Sequence, residues 1–110
     1  MTTTAINVTR VDNELYIIAI PSNGLASMEI LHFVSSNFVS STNDPVNITI
    51  IPQHVLAAGQ YTLCFVGINW GGPSAFYVSL TTNGTVTPVG PAPTSNQLGI
   101  AWSINVQITV

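Results

Sequence analysis

From Ser103 to Val110 the chain alternates without a break: Ile104, Val106, Ile108 and Val110 take turns with Ser103, Asn105, Gln107 and Thr109. Successive side chains of an extended chain point to opposite faces, so this period of two predicts a strand with one apolar face. The same alternation returns at Val46, Ile48 and Ile50, just after the turn-forming Thr42-Asn43-Asp44-Pro45. A further run, Ala75 to Leu80, leads into Asn83-Gly84, a hairpin dipeptide suited to a turn in which both central residues need positive φ. No segment carries a capped 3.6-residue period; His54 to Ala58 makes at most one helical turn. Strands are expected near 5–11, 14–20, 28–34, 46–51, 60–68, 74–82, 85–88 and 98–110. Short strands punctuated by Gly, Pro and Asn predict an all-β chain, an antiparallel β-sandwich of seven to eight strands forming a single domain over 1–110.

Two of these strands are apolar on both faces. In Leu15 to Ile20 and Tyr61 to Ile68, Leu63 and Phe65 point one way while Cys64 and Val66 point the other. One face of each strand can fill a sandwich core. The opposite face needs a cover, either the chain's own 84–98 segment, extended by its prolines, or another subunit.

Charge narrows the choice of partners. The chain has five charged side chains, Arg10, Asp12, Glu14, Glu29 and Asp44, and no lysine. Ordinary protein surfaces are about a quarter to a third charged, so this exterior is poorly guarded against self-association. A net charge of −3 with one cation offers nothing to a nucleic-acid backbone or an anionic membrane surface. The longest apolar runs are about six residues against the roughly 20 a bilayer needs, so no membrane insertion is expected. The opening MTTTAINVTR lacks the apolar core of a signal peptide, which fits either a cytoplasmic protein or a mature secreted form. Asn7-Val8-Thr9, Asn47-Ile48-Thr49 and Asn83-Gly84-Thr85 are sequons, close to the number chance supplies in a chain this rich in Asn, Ser and Thr.

Signals for catalysis are weak. His32 falls mid-strand and His54 in a loop, with no second ligand at a recognisable spacing, so no metal or other cofactor is expected. Cys64 lies inside an apolar strand, where desolvation disfavours the thiolate. Asp12 and Glu14 share one turn with Arg10 and are expected to form a solvated loop rather than a cleft-spanning acid and base. Gly71-Gly72 is followed by neither a lysine nor a helix, and no G-x-S-x-G elbow occurs. No enzymatic activity is expected. Trp70 is more suggestive: just beyond a strand and followed by Gly71-Gly72-Pro73, it either plugs the sandwich end or, with Asn69, makes a ligand-binding contact suited to a sugar. Trp102 shares the parity of Ile104 and Val106, which places it in the core or at a subunit seam.

The densest motif runs Leu56-Ala57-Ala58-Gly59-Gln60-Tyr61-Thr62-Leu63-Cys64-Phe65-Val66, then Asn69-Trp70-Gly71-Gly72-Pro73-Ser74. Tyr61, after a glycine at the start of a strand, stands where immunoglobulin-like sandwiches place the tyrosine that anchors their E–F corner. The stretch resembles the C-terminal immunoglobulin-like (early-set) domain of the galactose oxidase and glyoxal oxidase family, with its P-G-Y-Y-x-L-F-V and N-x-x-G-x-P-S elements. The likeness covers about residues 14–82 and includes Tyr16-Ile17-Ile18-Ala19-Ile20 and Ile30-Leu31-His32-Phe33. It implies an immunoglobulin-like fold. The family's domain supplies one copper-ligating histidine, but Phe38 stands in its place here, and the propeller holding the other ligands is missing. The resemblance therefore implies a stand-alone domain without the copper chemistry, of a kind whose usual task is packing against a partner.

The expected function is a non-catalytic structural, self-associating subunit, forming a homo-oligomer or filament through the bare strands Ala5 to Thr9 and Ile104 to Val110. The alternative is a small carbohydrate-binding module or lectin taking neutral glycans through Asn69 and Trp70. A lysine at Val106 or Ile108 would block assembly if those side chains form the seam, and unfold the domain if they fill its core.

Overall fold

The computed structural model describes residues 2–34, 45–90 and 96–110. Its strands are β1 (Thr3–Val11), β2 (Glu14–Pro21), β3 (Met28–Val34), β4 (Pro45–Ile50), β5 (Gln60–Asn69), β6 (Phe76–Thr82), β7 (Thr85–Pro88) and β8 (Gly99–Thr109). A short helix, α1 (Pro52–Val55), joins β4 to β5. It begins earlier than the expected turn at His54, because the proline's fixed φ suits the first helical position.

The strands form two antiparallel four-stranded sheets, in the orders β4-β1-β6-β7 and β3-β2-β5-β8. Ile6 and Val8 of β1 meet Leu15 and Ile17 of β2 and Leu63 and Phe65 of β5 between the sheets, all fully buried. Burying each such side chain contributes about 1.5–3 kcal/mol, which makes this layer the dominant favourable term. The Trp102 ring of β8 lies 5.8 Å from Phe76 and 6.0 Å from Phe65, so it belongs to the core. Gly67 of β5 sits beneath the Phe76 ring, which would stand only 2.7 Å from a Cβ at that position.

The neighbour relations follow those of an immunoglobulin-like sandwich in part: no described strand takes the place of D, and the β6–β7 hairpin stands between F and G in the chain. Strands β1, β2, β3, β4, β5 and β8 take the places of B, C, C′, E, F and G, while β6 lies beside β1 where strand A would run. Tyr61 makes the corner expected of it, its hydroxyl donating to the Ala57 carbonyl at 2.7 Å. Asn83 and Gly84 carry φ of 49° and 82° and connect Thr82 to its partner Thr85, the two-residue hairpin the dipeptide predicts.

One expectation changes and two open alternatives narrow. Ala5 to Thr9 is no edge: β1 is central, flanked by β4 and β6, because the β6–β7 hairpin occupies its open side. Val106 and Ile108 face inward with Trp102, so lysine there would disrupt the core rather than report on a seam. Of the 84–98 segment, residues 85–89 place β7 at the edge of the opposite sheet and Val89 in the core, with the Val89 N–H bonded to the Val78 carbonyl at 2.9 Å. Residues 85–89 therefore do not cover the outer face of β2 and β5, whose Tyr16, Ile18, Cys64 and Val66 are half-buried. Phe38, the residue in the copper ligand's place, lies outside the described residues.

Candidate functional site on the outer face of the β3-β2-β5-β8 sheet

Strand pairing turns the outward residues of this sheet into rows. Val34, Glu14, Ile68 and Ile100 form one row, and His32, Tyr16, Val66 and Ser103 the next. Glu29, Ile18, Cys64 and Asn105 follow, then Ile20, Thr62 and Gln107. The middle of the face is therefore apolar, while the β8 side presents Ser103, Asn105 and Gln107.

At the β3 side of the face a polar cluster forms. The Glu14 carboxylate accepts the Trp70 indole N–H on Oε1 at 2.8 Å, and its Oε2 lies 2.5 Å from His32 Nε2. The His32 ring stacks on Tyr16 with centroids 4.2 Å apart and planes 8° from parallel, and its Nδ1 lies 4.0 Å from Glu29 Oε1. Burial pushes the Glu14 carboxyl up, but hydrogen bonds from His32, Trp70 and Tyr16 outweigh it and hold the group below the ordinary glutamate value. The Tyr16 hydroxyl is pushed up, first by its hydrogen bond to that carboxylate and then by desolvation.

The loop carrying Trp70 is braced from below. Asn13 holds the left-handed backbone that asparagine tolerates better than most residues, with φ of 105°, and is buried. Its Oδ1 accepts the Trp70 N–H at 2.7 Å and the Gly71 N–H at 3.3 Å. Asn69 donates to the carbonyls of Gly72 at 2.8 Å and Gln97 at 2.9 Å, and accepts from the Gly71 N–H at 3.1 Å.

These contacts separate the two residues expected to bind a ligand. Asn69 is 0% exposed and committed to the loop's own backbone, so it is a brace rather than a contact. Trp70 is 58% exposed and plugs nothing. It lies on the crossover from β5 to β6, since the strand after β5 enters the other sheet.

The solvated loop expected of Asp12 and Glu14 is also corrected. Asp12 is 1% exposed and pairs with Arg10 at 3.5 Å, while Glu14 is 7% exposed beneath Trp70 and His32. Arg10 lies over the Tyr77 ring, 5.4 Å from its centroid. His54 is exposed on α1, away from this cluster, and half-buried Cys64 sits in the apolar middle of the face. Among the described residues no three His, Cys, Asp or Glu side chains group so as to hold a metal ion. Sequence reasoning missed the convergence of Glu14, Tyr16 and His32. Only the shared parity of Glu14 and Tyr16 was visible, because His32 joins through strand pairing and Trp70 through a loop.

No family model, curated protein or solved structure matches this chain.

Proposed function

We propose that this chain is a non-catalytic structural subunit that associates with copies of itself through β8. The observation carrying the proposal is the contrast among the four sheet edges. Strand β7 has four residues and ends in Pro88, β4 opens with Pro45, and β3 carries Glu29 and His32. Proline, brevity and charge are the usual guards of an open edge. Strand β8 spans eleven residues with no charge and no proline. Its register shifts once, between Gly67 and Ile68 of β5, leaving Trp102 to Thr109 regular. A second strand can add there by main-chain hydrogen bonds.

Magnitudes favour a contact larger than the edge alone. Pairing eight residues makes about eight hydrogen bonds at a net ~0.5–1.5 kcal/mol each, against an association cost of ~4–15 kcal/mol. The edge by itself roughly breaks even, so apolar contact on the β5–β8 side of the face, at Cys64, Val66 and Ile100, would supply the surplus and leave the β3 side clear.

Asn105 and Gln107 are exposed on β8, so lysines there guard the edge without entering the core. Light scattering should find the native chain oligomeric and the double variant N105K/Q107K monomeric, still folded and melting cooperatively at a temperature independent of protein concentration. A native chain that stays monomeric at millimolar concentration would refute the proposal.

A further inference from the structure

We propose that Trp70, with His32 and Glu29, forms a binding patch for neutral saccharides, separate from the β8 edge and independent of self-association. Three contacts hold Trp70 outward. Its backbone N–H is fixed by buried Asn13, its loop by buried Asn69, and its indole N–H by Glu14. Apolar burial would favour folding so large a ring inward. Here it is displayed and immobilised instead, which reduces the ordering cost of a ligand contact.

The surroundings select the ligand class. Both oxygens of Glu14 are engaged, by Trp70 and His32, so the patch does not offer that carboxylate to a cation. His32 and Glu29 remain 40% and 50% exposed, one offering a ring nitrogen and the other carboxylate oxygens. Tyr16 gives one ring face to His32. An exposed indole beside hydrogen-bonding groups suits a ligand with an apolar C–H face and a rim of hydroxyls, and a pyranose has both. Glu29 lies near Ile18 and Glu14 lies near Trp70, four residues apart along β2. At about 3.3 Å per residue the patch is roughly 13 Å long, longer than one sugar ring. An oligosaccharide fits it better than a monosaccharide.

The test uses uncharged gluco-, manno- and galacto-oligosaccharides as probes, with binding read by calorimetry on the native chain and on N105K/Q107K. At least one probe should bind both proteins with the same affinity per chain. Trp70→Ala should weaken it roughly tenfold or more, while Trp70→Phe retains part of the affinity. Thermal melting of both variants reports their folding, and Glu29→Gln, at an exposed side chain, gives a second reading by altering affinity without unfolding. The proposal is overturned if no neutral probe binds at millimolar concentration, or if folded Trp70→Ala binds as well as the native chain. It is equally overturned if only cationic amines bind, or if Trp70→Ala abolishes oligomers, which would make a second copy the occupant. Failure of β8 to mediate assembly would leave this patch untouched, so the two proposals fail separately.

Discussion

Glu14 is the residue on which the outer cluster turns. Its carboxyl sits below the ordinary glutamate value because burial, which raises it, is outweighed by hydrogen bonds from His32, Trp70 and Tyr16. A carboxyl lowered on folding contributes stability that is complete above the unfolded value and disappears as pH falls through the folded one. His32 and Glu29 on β3, Tyr16 on β2 and Trp70 on the loop after β5 are the groups facing it. Acidification from neutrality to below the ordinary glutamate range should therefore release Trp70, shifting its fluorescence. Glu14→Gln should lack this transition, and the stability difference between native and variant chains, measured by urea unfolding, should shrink as the pH falls. A transition identical in the two proteins would remove Glu14 as its cause.

Among the elements, β5 shows how packing limits sequence. It is flanked by β2 and β8, and its inward residues Leu63 and Phe65 face the other sheet. At Gly67 the opposite sheet comes so close that the Phe76 ring occupies the space of a side chain. Gly67→Ala must displace that ring and, through its stacking, Trp102. Overpacking of this kind costs about 1–3 kcal/mol, which a lowered urea midpoint at unchanged slope would register. The glycine's role was not readable from the chain, where it interrupts an otherwise apolar run. The alternation of β8 was readable, as was the Asn83-Gly84 hairpin, because both arise from contacts within a few residues. Tyr61 was readable for the same reason: its hydroxyl reaches back only four residues.

At the scale of the molecule, the described residues carry four charged side chains, Arg10, Asp12, Glu14 and Glu29, on a molecule with 5839 Å² of surface. Arg10 and Asp12 are paired and largely buried, and Glu14 lies beneath Trp70, so even this small number overstates the exposed charge. Association driven by strand pairing and apolar contact should therefore be nearly insensitive to salt. Particle size should stay constant from about 0.05 to about 0.5 M NaCl, although screening lengths shrink severalfold over such a range. Dissociation at the higher concentration would point to ion pairs as the link. The same scarcity of charge leaves β8 unguarded while the other three edges carry proline, charge or few residues.

The sequence by itself determined the strands, their inward faces, the hairpin and the tyrosine corner, since alternation and turn chemistry act locally along the chain. Only the tertiary structure decided which strands lie at the edges, because β6 could take its place beside β1 only through a crossover between sheets. The same holds for Glu14, His32 and Trp70, brought together by pairing across 18 and 56 residues. Local spacing carries no record of contacts so distant, and it was burial by these neighbours that turned an expected solvated loop into an anchor.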